Sequence, residues 1–173
     1  MEVYYSKVNS PVGLLTLVAT EKGICRIEFG YHERTILFIE AWLKKHQIRS
    51  ELREDAEPFI PVIKQLEEYF LQKRRQFQLP LDVYGTDFQK RVWKALQQIP
   101  YGKTCSYKEI ANQIGSQKAV RAVGNANNHN PLPLIIPCHR VIGTNGAMVG
   151  YAGGLPIKEK LLKLESTVEK ISS

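Results

Sequence analysis

A cysteine, a histidine and an arginine stand side by side at Cys138, His139 and Arg140. The thiolate is the nucleophilic form of cysteine, and basic or cationic neighbours lower the pKa of a thiol and favour that form. The alternative for any single cysteine is a buried structural thiol, which is the more frequent case. The two basic neighbours favour the first interpretation, and we expect Cys138 to be an ionisable nucleophile.

The stretch that delivers Cys138 begins at Asn130-Pro131 and contains three prolines before the cysteine. Proline fixes φ and lacks a backbone N–H, which excludes a helix interior. Residues that precede a proline are biased towards extended conformations. We therefore expect a rigid, mostly buried extended loop that holds Cys138 in one place.

A carboxylate is available to complete a proton relay. A helix is predicted from Pro156, and Glu165 lies at the edge of its apolar stripe, where a charge needs a partner. With His139 as that partner, Glu165 would orient the imidazole, and the imidazole would take the proton of Cys138. Adjacent side chains of an extended segment point apart, so we expect a water molecule to link the sulfur to the ring.

The segment that follows, residues 141–154, contains five glycines and Tyr151. Glycine permits positive φ and lets the backbone approach a ligand closely, so that N–H and C=O groups can bind a flat heterocycle. A flexible surface loop is the alternative. A loop next to a candidate nucleophile is nevertheless a suitable pocket wall.

Two short helices joined by a tight turn are predicted upstream of the cysteine. Ser106 and Glu109 fit a capping box at the start of the first helix, and Gly115 suits its end. Ser116 suits the N-cap of the second helix, which is expected to run to about Asn127. Together these features form a helix-turn-helix signature.

The second helix has two contrasting faces. The predicted inward face consists of Ala119, Ala122, Val123 and Ala126. The predicted outward stripe consists of Lys118, Arg121, Asn125 and Asn128. A slim helix with such a stripe suits contact with nucleic acid, whereas the alternative is an ordinary solvated polar face.

The composition supports a polyanionic partner. The chain has 173 residues, a formal net charge of +7 and a pI near 9.3, which favours nucleic acid first and anionic membrane surfaces second. No apolar run is long enough for a membrane span and no signal peptide is recognisable, so we expect a cytoplasmic protein. Three widely spaced cysteines argue against disulfides, and no Cys/His cluster predicts a metal site.

The first half of the sequence predicts a sheet with helices packed on it. Alternating β-formers indicate strands, and apolar residues at helical spacing indicate helices. Gly85 is a plausible boundary, which gives expected domains at residues 1–85 and 86–173. The individual predictions are strands at 14–20 and 24–29, helices at 33–47 and 58–72, an extended segment at 79–84, and a helix capped by Thr86 and Gln89.

Several spaced elements occur together in the second half. They are Gly124-Asn125-Ala126, Asn130-Pro131, Pro137-Cys138-His139-Arg140-Val141 and Tyr151-Ala152-Gly153-Gly154. This combination closely resembles the methylated-DNA–protein-cysteine methyltransferases, the O6-alkylguanine-DNA alkyltransferase family, over about residues 86–166. The resemblance implies an α/β (α+β) fold, with an N-terminal ribonuclease-H-like domain and a C-terminal winged-helix domain that contains the helix-turn-helix.

For the reaction, the resemblance implies DNA repair by direct, irreversible transfer of the alkyl group of O6-methylguanine, and of O4-methylthymine, to Cys138. The protein would react once and would need no cofactor. His139 and Glu165 would activate the thiol through water. Asn130 would brace the active-site turn, and Tyr107 would donate a hydrogen bond towards O6 of the departing guanine.

For the partner, the resemblance implies a monomer that binds alkylated double-stranded DNA through the minor groove. Arg121 would fill the place of the damaged nucleotide after it flips out. Further DNA contacts are expected from Tyr107, Lys108, Ser116, Lys118, Asn125 and Thr144. The flipped base would be recognised around Val141, Tyr151 and Ala152, where alanine replaces a serine common in the family.

Three other functions fit the sequence less well. A non-repairing alkyltransferase-like protein would bind lesions but would lack the cysteine. A cysteine hydrolase would leave the helix-turn-helix unused, and a basic transcription factor would not need the Pro-Cys-His-Arg run. Because the sequence starts at Met1, we also expect no fused regulatory domain.

Overall fold

In a computed structural model, the backbone of residues 1–172 and the side chains of residues 1–166 are described. The chain divides into two units, Met1–Gly85 and the part that begins at Thr86. The first unit is built on a sheet and the second is mainly helical. None of the helices in the described part of the chain has the length and apolar content that crossing a bilayer requires.

The first unit contains four strands: β1 (Val3–Val8), β2 (Leu15–Thr20), β3 (Gly23–Phe29) and β4 (Leu52–Glu54). Their order is β3-β2-β1-β4, with β1, β2 and β3 antiparallel and β4 parallel to β1. The interior strand β2 is buried along its whole length because its residues are apolar or small hydroxyl side chains. The two strands predicted at 14–20 and 24–29 are confirmed as β2 and β3, which pair as a hairpin, whereas β4 is too short to show a periodic pattern.

Two helices accompany this sheet: α1 (Thr35–Lys45) and α2 (Ile60–Phe70), the second preceded by a 3-10 turn at Glu57–Phe59. Both are shorter than the predicted ranges. Ile39 and Leu43 of α1 join Val3, Val18 and Cys25 in one core cluster. Cys25 is completely buried, and burial raises its pKa to about 12, so this thiol is a structural one.

Gly23 allows the segment 79–84 to approach the sheet. The N–H of Ile24 donates to Pro80 O at 3.1 Å, and the N–H of Asp82 donates to Ile24 O at 2.9 Å. A Cβ atom added at Gly23 would lie 2.4 Å from Pro80 O. Only glycine permits this contact, because the neighbouring atoms are backbone and cannot turn away.

The second unit begins with α3 (Asp87–Leu96), and its predicted capping box is present. Thr86 Oγ1 accepts from the N–H of Gln89 at 3.1 Å, and the Gln89 side chain accepts from the N–H of Thr86 at 2.9 Å. The indole N–H of Trp93 donates to Ala126 O at 2.8 Å and joins α3 to the helix that carries the predicted DNA-binding stripe.

That helix is α5 (Val120–Asn128), and it follows α4 (Tyr107–Gln113). The turn between them is a Schellman motif: Gly115 has φ +74°, its N–H donates to Asn112 O, and the N–H of Ser116 donates to Ala111 O. The predicted helix-turn-helix is therefore formed around Gly115.

Two details of the prediction for α5 were wrong. Ser116 is not the N-cap, because α5 begins four residues later with Ala119 in that position and without a side-chain cap. The Schellman motif uses Ser116 to end α4 instead. Ala122 is exposed, and the buried positions of α5 are Val123, Ala126 and Asn127.

The loop 130–141 is buried throughout, as predicted, but it is turned and not extended. The N–H of Ile136 donates to Leu132 O at 2.8 Å, and Leu134 has a φ of +76°. The prediction of an extended loop was wrong because proline biases only the residue that precedes it, whereas local hydrogen bonds determine the conformation of the other residues. The loop ends in a 3-10 turn at Cys138–Arg140.

A pair of two-residue strands, β5 (Cys105–Ser106) and β6 (Val141–Ile142), runs parallel in this unit. The pair places the start of α4 beside the residues that follow Cys138. The last helix, α6 (Leu155–Ser172), buries Lys158, Leu161 and Glu165 within its described part.

We predict that Gly23→Ala destabilises the protein by about 2–4 kcal/mol, because the new Cβ overlaps backbone atoms of Pro80 and Leu81. The matched control is Gly13→Ala. Gly13 also has positive φ but no atom within 4 Å of the added Cβ, so it should cost only about 1 kcal/mol of backbone strain. Urea unfolding of both variants measures the difference, and equal losses would contradict the proposed close approach.

Candidate active site

Cys138 is held by a buried amide. The residue opens the 3-10 turn and is only 2% exposed. Nδ2 of Asn130 donates to Ile136 O at 2.8 Å, and Oδ1 of Asn130 accepts from the N–H of Leu132 at 3.0 Å. Asn130 thus closes the loop from both directions, and the N–H of Cys138 itself donates to Ile136 O at 2.8 Å.

Glu165 lies between the two residues that follow the cysteine. Nε2 of His139 is 2.7 Å from Oε2 of Glu165. Nε of Arg140 donates to Oε1 at 2.8 Å and Nη2 donates to Oε2 at 3.1 Å. Nη1 of Arg140 reaches Ile99 O at 2.8 Å. The carboxylate therefore accepts three hydrogen bonds, and all three side chains are buried.

The charges of this triad follow from its hydrogen bonds. Burial alone would raise the pKa of Glu165, but the hydrogen bonds and positive charges of His139 and Arg140 outweigh it and hold this pKa at about 2. Burial lowers the pKa of His139, and Arg140 and Lys158 lower it further against the pull of Glu165. The resting triad is an ionised carboxylate, a neutral imidazole and a charged guanidinium.

The neutral imidazole has one nitrogen available. Because Nε2 donates to Glu165, Nδ1 is the accepting nitrogen of that tautomer, and it is buried without a hydrogen-bond partner among the described residues. A neutral His139 oriented by a carboxylate can act as a general base.

The thiol of Cys138 does not have the predicted lowered pKa. Burial raises its pKa to about 11, although a hydrogen bond with Asn130 and the charge of Lys158 act in the opposite direction. The expectation that Arg140 helps to ionise the thiol was wrong, because Arg140 is directed to Glu165 and Ile99 O. Cys138 is thus protonated at neutral pH and needs a base before it can attack.

Tyr107 is the first residue of α4 and follows β5 directly. Its hydroxyl donates to Val149 O at 2.7 Å. Burial and the neighbouring Cys138 raise the pKa of Tyr107, whereas a hydrogen bond with Asn127 lowers it. The structure therefore brings a protonated phenol to the same site as Cys138.

The predicted base pocket is partly buried. Val141 is completely buried, Tyr151 is half-buried and Ala152 is exposed. Between them the glycine-rich loop folds back on itself, since the N–H of Gly143 donates to Ala147 O at 2.8 Å. The loop walls one side of the site near Cys138, whose ionised form would raise the pKa of Tyr151 after the larger effect of burial.

The predicted DNA-binding residues lie on and around α5. The members of the outward stripe are all exposed: Lys118, Arg121, Asn125 and Asn128. Lys108 and Thr144 are also exposed. Ser116 is half-buried, and its hydroxyl accepts from Arg91 at 3.5 Å, at the turn between the helices.

No group of three or more histidine, cysteine or acidic side chains is placed to hold a metal ion within the described residues. Cys105 lies near Tyr107 in sequence, but burial and a hydrogen bond to Glu109 raise its pKa. Neither observation adds a second reactive centre.

Comparison with known proteins decides the family. Residues 3–83 match the 6-O-methylguanine DNA methyltransferase ribonuclease-like domain, and residues 87–167 match the DNA binding domain of the same proteins. The chain belongs to the 6-O-methylguanine DNA methyltransferase family. This confirms the resemblance and the fold class that were drawn from the sequence.

Relatives cover almost the whole chain. A Methanosarcina barkeri protein named methylated-DNA–protein-cysteine methyltransferase is 49% identical over 163 residues, which are 94% of this chain and 97% of the relative. A Bacillus subtilis relative, named as the constitutive form, is 43% identical over 164 residues, 94% of each chain. Two crystal structures from Mycobacterium tuberculosis, one of the O6-methylguanine methyltransferase and one of OGT in complex with DNA, are each 42% identical to this chain with a TM-score of 0.82. Each match covers 95% of this chain and 93% of the other.

The sequence did not predict the roles of three buried polar residues of the site: Asn127, Lys158, and Arg140 as the ion-pair partner of Glu165. Nδ2 of Asn127 lies 3.4 Å from Cys138 O. Lys158 and Glu165 are both in helical phase with the buried Leu161, at spacings of three and four residues. The position of a charged residue in helical phase with the apolar stripe identified Glu165 from the sequence. The same signal could have identified Lys158.

We predict that Glu165→Gln lowers the free energy of unfolding by about 3–5 kcal/mol at pH 7, because it leaves the buried charge of Arg140 without its counter-charge. The pKa of Glu165 is lowered from 4.5 to about 2, so its contribution is complete above pH 4.5 and is lost as the pH falls through about 2. The difference in free energy of unfolding between wild type and Glu165→Gln, measured by urea unfolding, should therefore decrease as the pH falls from 4.5 to about 2.

The control is Glu159→Gln on the same helix. Glu159 is 3.1 Å from Lys163 in an exposed pair, so its removal should change stability by less than about 0.5 kcal/mol at any pH. If the stability difference between wild type and Glu165→Gln did not change with pH, this result would contradict an ionised Glu165 in the triad.

Proposed function

We propose that the protein repairs DNA by transferring the alkyl group of O6-methylguanine, and of O4-methylthymine, irreversibly to Cys138. The observation that carries this proposal is the buried thiol beside the His139–Glu165 pair, in a family whose relatives are named methylated-DNA–protein-cysteine methyltransferases. The product is a thioether, so each molecule reacts once.

The first step removes the thiol proton. Because burial keeps Cys138 protonated, its proton must pass to a base, and Nδ1 of His139 can accept it through a water molecule. Glu165 stabilises the imidazolium that forms. The thiolate then attacks the alkyl carbon in line. The S–C bond forms as the C–O bond breaks, and the electron pair of the broken bond stays on O6.

The departing guanine must gain a proton. Tyr107 is the acid that we assign to this step, because its phenol is protonated and lies at the site. The phenolate recovers its proton from the His139 imidazolium through water. The thiol proton thus ends on the guanine, and the alkylated DNA itself supplies the transferred group. For this reason no cofactor takes part.

DNA is the partner that the site requires, and the M. tuberculosis relative has been crystallised with DNA. We assign the exposed stripe of α5 to the minor groove and Arg121 to the space left when the alkylated nucleotide flips into the pocket. Lys108, Ser116, Lys118, Asn125 and Thr144 would hold the surrounding backbone. The protein would act as a monomer in the cytoplasm.

The two units have separate tasks in this proposal. Residues 86–173 contain the nucleophile, its relay, the base pocket and the DNA-binding helices. Residues 1–85 form the ribonuclease-like domain, which supplies none of the assigned reactive groups.

Incubation with duplex DNA that contains O6-methylguanine should add one methyl group to each protein molecule, located on Cys138 by peptide mass spectrometry. Cys138→Ser should add none, because a serine hydroxyl is a much weaker nucleophile than a thiol. The matched control is Cys105→Ser, which should react like wild type. Release of many repaired bases per protein molecule would contradict a single-turnover transfer.

Arg121→Ala should slow repair of duplex lesions by about 10- to 100-fold, because nothing then fills the stack after the base flips out. Reaction with the free base O6-methylguanine should change by less than about twofold, since no flipping is needed. Arg53→Ala, at an exposed arginine of the first unit, is the control for loss of a positive charge. Single-turnover rates on both substrates measure this, and equal slowing on both would refute the role of Arg121.

A further inference from the structure

Lys158 is a completely buried lysine and the fourth residue of α6. Its ammonium lies near three backbone carbonyls: Val141 O at 2.5 Å, Val149 O at 3.1 Å and Gly150 O at 3.2 Å. An ammonium has three N–H donors, so all of them are used. Burial of such a charge is costly unless every donor is satisfied, which makes the position demanding in both charge and geometry.

The three carbonyls belong to the two ends of one loop. Val141 follows the Cys138–Arg140 turn directly, and Val149 and Gly150 precede Tyr151. Val141 and Tyr151 are the positions that we assign to recognition of the flipped base. A single side chain therefore joins the start and the end of the backbone segment that surrounds the proposed base pocket.

Val149 O has two donors, Lys158 at 3.1 Å and the hydroxyl of Tyr107 at 2.7 Å. In the proposed reaction Tyr107 must turn its hydroxyl to the guanine, and it then leaves Val149 O. Lys158 remains as the donor to that carbonyl. The loop can therefore keep its position while Tyr107 serves as the acid.

The charge of Lys158 also acts on the nucleophile. It lowers the pKa of Cys138, after the larger opposing effect of burial, and it lowers the pKa of His139. The titratable and charged groups around the thiol are Tyr107 from α4, His139 from the 3-10 turn, Tyr151 from the loop, and Lys158 and Glu165 from α6. Within this set the ammonium favours the thiolate directly.

We propose that Lys158 is a positioning residue of the alkyl transfer, which fastens both ends of loop 141–150 around Cys138 and places a positive charge beside the thiol. The inference rests on the proposed function. It adds a residue that neither the relay nor the DNA-binding face contains.

The first experiment separates chemistry from binding. Lys158→Met should lower the maximal single-turnover rate of methyl transfer by about 10- to 100-fold, because the reacting groups lose their alignment. The DNA concentration for half-maximal rate should stay within about twofold of wild type, since α5 is unchanged. The matched control is Lys160→Met, at an exposed lysine of the same helix, which should leave both constants near wild type.

The second experiment uses iodoacetamide without DNA, with the rate of Cys138 modification followed by peptide mass spectrometry at pH 8. Loss of the ammonium should raise the pKa of Cys138 by about one unit. The thiolate fraction, and with it the rate of modification, should then fall about tenfold. Fastening of the loop without an effect of the charge on the thiol predicts the opposite, since a loosened loop would expose the thiol and speed its modification. Lys158→Arg keeps the charge and should restore most of the rate.

Lys158→Gln, which keeps hydrogen-bond donors without the charge, is measured in parallel and supplies the readout should the methionine variant not fold. It should also slow iodoacetamide modification. Modification at or above the wild-type rate in the folded uncharged variants, or methyl transfer by Lys158→Met within twofold of wild type, would overturn the assignment. Failure of the wild-type protein to gain a methyl group would instead reject the proposed function, and the iodoacetamide result would still stand.

Discussion

The site depends on the hydrogen bonds that the buried, charged carboxylate of Glu165 accepts. One carboxylate accepts hydrogen bonds from His139 and Arg140, the two residues that follow Cys138. A buried carboxylate is stable only when its lone pairs are satisfied, so α6 and the 3-10 turn must keep their relative position. The same bond to Nε2 of His139 selects the tautomer whose Nδ1 can accept a proton. Structural and chemical constraints thus meet in one side chain.

The raised pKa of Cys138 explains why the other groups are needed. The hydrogen bond with Asn130 and the charge of Lys158 favour the thiolate, but they do not outweigh burial. A thiol that is protonated at rest depends on a neutral imidazole as base, and a carboxylate that stays ionised is what holds that imidazole ready. The site therefore combines a buried, protonated nucleophile with a neutral imidazole that can take its proton.

Local sequence signals predicted the local structure well. The capping box of Thr86 and Gln89 and the turn at Gly115 depend on a few adjacent residues, so their chemistry can be read directly. Glu165 was found because a charge in phase with apolar residues needs a partner. In contrast, β5 and β6 are two residues each and pair across a long stretch of chain, so no periodicity reveals them. The course of loop 130–141 was missed because the bonds of Asn130, more than the prolines, determine its turns.

Helix α5 connects the exposed face that we assign to DNA with the nucleophile. Its outer face exposes Arg121 and Asn125, whereas its inner face buries Asn127, whose amide lies 3.4 Å from Cys138 O and forms a hydrogen bond with Tyr107. Trp93 fixes the C-terminal part of the same helix through Ala126 O. Because α5 is short and held at this end, its exposed face and the residue that contacts both Cys138 and Tyr107 belong to one fixed element. An apolar residue at position 127 could make neither of these hydrogen bonds, so the double contact accounts for a buried polar side chain there.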